Sequence, residues 1–122
     1  MKFLFLFFFL LSCAGCGIVG PGPADNLGVV VQDRVRVNVS FNRGSDRHEQ
    51  TIDGPYGSRW WSLDNARLLN FRIVAVVAGG DQTLFSGEVF VNNAYRTTFN
   101  VVPSANGTWT VVRETTPINR GW

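Results

Sequence analysis

The segment that decides the fold is Val35-Arg36-Val37-Asn38-Val39-Ser40-Phe41, in which every odd position is apolar and every even position is polar. Successive side chains of an extended strand point to opposite faces, so this pattern places the apolar residues on one face and leaves Arg36, Asn38 and Ser40 in water. An α-helix would scatter the same residues around its circumference. The segment therefore predicts a strand with one buried face.

The same period of two recurs in further segments, which are separated by glycine, asparagine or proline. These segments are residues 27–31, 48–52, 70–78, 84–91, 95–101 and 108–114. Residues 74–78 are apolar on both faces, which predicts a central strand that something else covers at one end. Gly79-Gly80 and Asn106-Gly107 are typical of tight turns, because glycine adopts a positive φ at little cost.

The fold class follows from the number and spacing of these segments. About six or seven strands at intervals of about ten residues are typical of an antiparallel β-sandwich, and we expect an Ig-like or fibronectin-like one. A small closed β-barrel is the alternative. Helical periodicity is confined to residues 63–69, where one or two turns are expected.

Length and charge limit the classes of function. The chain has 122 residues, enough for one domain, with 11 basic and 9 acidic side chains. Lys2 is the only lysine, and the arginines are spread along the chain without a polybasic patch. We therefore expect no nucleic-acid partner.

The amino terminus carries a targeting signal. Met1-Lys2 is followed by an unbroken run of Phe and Leu over residues 3–11. That run is too short to span a bilayer, which takes about 20 apolar residues. A charged start, a short apolar stretch and small residues after it are typical of a secretory signal peptide.

The small residues Ser12-Cys13-Ala14-Gly15-Cys16 resemble the lipobox of bacterial lipoproteins. The resemblance implies cleavage before a cysteine, acylation of that cysteine and attachment to the membrane through the lipid. Cys13 has Leu10 where the family has leucine, whereas Cys16 follows the family's Ala-Gly pair, so both remain candidates. Neither cysteine is followed by aspartate, which in the family implies the outer membrane. The alternative is a plain signal peptide and a secreted soluble protein.

These signals divide the chain into three parts. Residues 1–16 are the signal peptide and lipobox, residues 17–26 form a tether rich in Gly and Pro, and residues 27–122 form a single β-sandwich domain. Both cysteines precede residue 17, so the domain has no internal disulfide and its stability must come from burial.

Catalytic and metal-binding patterns are not found. His48 is the only histidine and lies in a polar segment, which predicts a solvated hairpin tip. Asp46, Glu49 and Asp53 do not have the spacing of a calcium-binding loop. We therefore expect no catalytic residues, no metal site, no cofactor and no enzymatic activity.

The candidate contact residues are Tyr56, Arg59, Trp60 and Trp61. On a strand, Trp60 and Trp61 point to opposite faces, so one can fill the core while the other meets a partner. Trp, Tyr and Arg dominate the energetics of protein interfaces, and aromatic rings also stack on sugars. The alternative is that one tryptophan belongs to the core and the other packs under the neighbouring loop.

Together these observations predict a non-catalytic, envelope-anchored lipoprotein that acts as a binding or scaffold module for a protein or glycan partner. The alternative is an inhibitor of a secreted or periplasmic enzyme such as a lysozyme or protease. An inhibitor would use a protruding loop at residues 42–49 to plug an active site.

Overall fold

The computed structural model describes residues 20–118, so the predicted signal peptide, Cys13 and Cys16 lie outside the described residues. Eight strands, one more than the six or seven expected, account for most of the described chain, and the expected all-β class is confirmed. The strands are β1 (Leu27–Val31), β2 (Arg36–Arg43), β3 (Asp46–Asp53), β4 (Gly57–Trp61), β5 (Ala66–Val76), β6 (Gln82–Val91), β7 (Tyr95–Pro103) and β8 (Trp109–Pro117). A single 3-10 turn, Ala105–Gly107, precedes β8.

The strands form two four-stranded sheets, which confirms the predicted β-sandwich. Sheet A has the order β4-β1-β7-β8 and sheet B the order β3-β2-β5-β6. The barrel alternative is wrong, because each sheet ends in two edge strands instead of closing on itself. Neighbouring strands are antiparallel except β1 and β7, which are parallel. In the immunoglobulin fold the first two strands share a sheet, whereas β1 and β2 lie in opposite sheets here.

The core lies between the sheets and is built from the alternating residues of their inner faces. In β2 the side chains of Val37, Val39 and Phe41 are buried, as the sequence predicts. Phe71 of β5 stacks on Phe41 at 5.5 Å between ring centroids and on Phe99 of β7 at 5.0 Å. Because Phe99 belongs to sheet A and the other two rings to sheet B, this row of aromatic rings joins the two sheets.

The helical turns expected at residues 63–69 are not formed. Leu63 is buried in a loop, and Leu68 belongs to β5, where it faces the core like Phe71. The pairing of β5 with β6 shifts register between Leu68 and Phe71, and Asn70 has a φ of 52°. This bulge puts Leu68 and Phe71, which are three residues apart, on the same face of the strand.

The strands run back and forth between two ends of the sandwich. We call the end where the described chain enters at Asn26 the proximal end; it also carries the loops at residues 44–45, 62–65 and 92–94. The distal end carries the loops at residues 32–35, 54–56, 77–81 and 104–108. The described chain also leaves at the proximal end, where Ile118 N–H donates to the Ala94 carbonyl at 2.9 Å.

The last residues of the predicted tether are bonded to the sandwich. The Arg96 guanidinium donates to the carbonyl oxygens of Asp25 at 2.8 Å and Gly22 at 2.9 Å. Asn26 is fully buried, and its side-chain amide bonds to the backbone of Leu63 and Asn92. The chain is therefore held at the proximal end from Gly22 onward.

Candidate functional site

Trp60 lies on the face of sheet A that points away from the core. It pairs with Gly28 of β1, and its indole ring covers that glycine closely enough that a β-carbon at position 28 would overlap the ring. The indole N–H donates to Ser58 Oγ at 3.2 Å. Glycine at position 28 therefore creates the space in which a half-buried tryptophan lies against the outer surface of the sheet.

Trp61 lies on the opposite face, against the core. It pairs with the buried Leu27, and its ring meets Phe41 edge-on at 5.5 Å between centroids. Edge-to-face contacts of this kind add to the free energy of burial. Trp61 therefore packs against the core at the edge of the sandwich, and the two tryptophans lie on opposite faces of β4.

Arg59 shares the core side of β4 with Trp61, because it pairs with the buried Val29. It is nevertheless exposed, since β4 is an edge strand and the sandwich is open beside it. Arg113 has the same place on β8, the other edge of sheet A, with its guanidinium 5.3 Å from the Phe99 ring centroid. Inward-pointing charges on edge strands discourage pairing with another sheet, which gives both arginines a structural role.

Tyr56 lies in the distal loop just before β4. Its side chain is 61% exposed, its φ is 64°, and its N–H donates to the Val31 carbonyl at 2.7 Å. A positive φ is uncommon for a residue with a side chain, and this bond to β1 fixes the backbone that adopts it.

The structure therefore divides the four candidate residues. Trp60 lies on the outer face of β4 and Tyr56 in the loop at the distal end of the same strand, whereas Arg59 and Trp61 lie on the core side. The alternation of Trp60 and Trp61 could be predicted from the sequence. The place of Trp60 over Gly28 could not, because it depends on the pairing of β1 with β4 across about thirty residues.

A second feature, which the sequence did not reveal, is a cleft of about 480 Å³ at the distal end. We call it the distal cleft; its lining residues are Arg34, Val35, Arg36, Asp53, Gly54, Pro55 and Val76. Residues 74–78, which are apolar on both faces, predicted a strand that is covered at this end, but Val76 is 40% exposed beside the cleft.

An ion pair crosses the distal cleft. Arg36 Nε donates to Asp53 Oδ1 at 2.7 Å, and Arg36 Nη2 approaches Asp53 Oδ2 at 3.5 Å. This hydrogen bond is the main cause that lowers the pKa of Asp53 and raises the pKa of Arg36. Because the pKa of Asp53 is depressed, the pair is intact at neutral pH and is lost only as the pH falls through that lowered value.

The hairpin of β2 and β3 does not place His48 at the solvated tip that the sequence predicted. Residues 44–45 form a two-residue turn, and His48 is half-buried with its ring stacked on Phe41 at 4.9 Å between centroids. His48 is therefore part of the packing and not a solvated tip. The segment at residues 42–49, expected to be a loop, consists of paired strand residues on both sides of the two-residue turn.

Within residues 20–118, no group of three or more His, Cys, Asp or Glu side chains is arranged to hold a metal ion. No helix in the same part of the chain has the length and hydropathy needed to cross a membrane. No protein-family model matches the chain, and no curated protein or solved structure matches it either.

Proposed function

We propose that this protein is a non-catalytic lipoprotein of the bacterial envelope whose β-sandwich acts as a binding module. The anchor is the acylated Cys13 or Cys16, in the outer membrane by resemblance to the lipoprotein family. The chain enters the sandwich at the proximal end, so the distal end with Tyr56 lies away from the anchor. This arrangement supports a domain that presents its distal end and outer faces to a protein or glycan partner.

The observation that carries the proposal is the position of Trp60. A tryptophan on the side of the sheet away from the core adds nothing to the packing between the sheets. The absence of a side chain at Gly28 nevertheless leaves room for its ring. A flat indole held against a rigid sheet is suited to stack on a sugar ring or to enter a pocket of a protein partner. Tyr56 is a second exposed aromatic side chain, in the loop at the distal end of the same strand.

Replacing Trp60 by alanine is expected to reduce capture of the partner about tenfold or more, which is the range of interface hot spots. The free energy of unfolding should change by less than about 1 kcal/mol, since the core is untouched. The measurement is the amount of cross-linked protein and glycan retained from native membranes by the full-length variant.

Trp61→Ala is the matched control, because it removes the same side chain from the adjacent position. It should lower the free energy of unfolding by about 2 kcal/mol, as a half-buried core ring, and leave capture by the folded fraction unchanged. Should Trp60→Ala lower only the stability, the ring serves packing and the contact proposal fails.

Acylation is tested by expressing the full chain with Cys13→Ser, Cys16→Ser or both, in cells fed with radiolabelled palmitate. We expect one single variant to lose the label and to leave the membrane fraction, while the other keeps both. The double variant should be released as well. Labelling that survives in the double variant, or a native protein that carries no label, would contradict a lipid anchor.

A further inference from the structure

The distal cleft has a row of three side chains at its base. Arg36 of β2 pairs with Asp53 of β3 on one side and with Val76 of β5 on the other. Directly paired residues share a face of the sheet, so the three lie side by side on the outer face of sheet B. A carboxylate, a guanidinium and an apolar group thus follow one another across three strands.

The loops around this row are bonded to each other. Gly54 N–H donates to the Val35 carbonyl at 3.0 Å. A β-carbon at Gly54 would overlap the Asp33 carbonyl oxygen, which shows how closely the loops at residues 32–35 and 54–56 approach. The cleft is therefore formed before any ligand binds, which lowers the entropy lost on binding.

The charges of the cleft are not balanced. Arg36 is held by Asp53, whereas Arg34 is exposed and has no hydrogen bond or ion pair within residues 20–118. Two guanidinium groups therefore face one carboxylate. A planar guanidinium binds a carboxylate with two parallel hydrogen bonds, so Arg34 is suited to an incoming carboxylate.

The cleft also has apolar lining residues. Val76 is 40% exposed, and Pro55 is another apolar side chain among the lining residues. A ligand that fills the cleft would cover the exposed part of Val76. The volume of about 480 Å³ falls within the usual range of small-molecule sites.

We propose that the distal cleft binds the carboxylate end of a short peptide whose last side chain is apolar. Arg34 pairs with the terminal carboxylate, the ion pair of Arg36 and Asp53 keeps the base rigid, and Val76 with Pro55 contacts the apolar side chain. The site is independent of the lipid anchor and of Trp60, so either proposal can fail without the other.

Isothermal titration calorimetry of the full-length protein in detergent tests the proposal. The three ligands are N-acetyl-alanyl-valine, its carboxy-terminal amide and inorganic phosphate. The free acid should bind at least tenfold more tightly than the amide or phosphate. Arg34→Gln should weaken binding of the acid about tenfold, and Val76→Ser should weaken it severalfold.

Arg47→Gln is the matched control: it removes another exposed arginine without a described partner, on β3 near the proximal end. It should leave binding unchanged. Arg34→Lys keeps the charge but not the planar pair of donors, and should recover only part of the affinity. Equal binding of acid and amide, equal binding of phosphate, or equal effects of Arg34→Gln and Arg47→Gln would each overturn the proposal.

Discussion

Phe71→Ala is expected to lower the free energy of unfolding by about 3–5 kcal/mol, the range for truncating a buried aromatic ring. Phe71 is fully buried and contacts three other rings, those of Phe41, Phe85 and Phe99. Its removal leaves a cavity where sheet B meets sheet A, and no neighbouring strand can close it without moving the sheets. Urea unfolding followed by tryptophan fluorescence measures the change.

Phe90→Ala is the control for this prediction. Phe90 is 63% exposed on the outer face of β6, with the Arg67 guanidinium 6.0 Å from its ring centroid. Its loss should change the free energy of unfolding by no more than about 0.5 kcal/mol. If the two alanine variants were equally stable, the row of aromatic rings would not hold the sheets together.

Asn26→Ala is expected to lower the free energy of unfolding by about 3 kcal/mol. The side chain is fully buried; its amide nitrogen donates to the carbonyls of Leu63 and Asn92, and its Oδ1 accepts from the Leu63 N–H at 2.9 Å. Alanine leaves the N–H and the carbonyl of the buried Leu63 without these partners, and each buried unsatisfied group costs about 1–3 kcal/mol. These bonds tie three loops together at the proximal end.

Two further variants test whether the hydrogen bonds of Asn26 cause this loss of stability. Asn26→Asp keeps the shape but places an oxygen opposite two carbonyls, so it should destabilise at least as much as alanine. Asn42→Ala removes an asparagine on the outer face of β2 that has no described side-chain hydrogen bond, and it should have little effect. Thermal unfolding of the three variants compares them, and an Asn26→Ala midpoint equal to that of Asn42→Ala would show that the proximal end is closed by other contacts.

Particular residues show what could be read from the sequence. The alternation at residues 35–41 predicted the buried face of β2, and the matching patterns in β6 and β7 predicted theirs, because the direction of a side chain on a strand is a local property. The β-sandwich followed from the number of such strands. The helical turns at residues 63–69 were predicted wrongly, because Leu63 lies in a loop and residues 66–69 already belong to β5.

Other features depend on which strands become neighbours. Several features join residues that are far apart in the chain. They are the parallel pairing of β1 with β7, the short edge strand β4, the packing of Trp60 over Gly28, and the row of Asp53, Arg36 and Val76. A period of two fixes the face on which each side chain lies. The same period would be seen whichever strands were paired and in whatever order, so it does not identify the neighbours of a strand. The partners are chosen collectively, by burial of the apolar faces together with backbone hydrogen bonding, and that choice exists only in the folded protein.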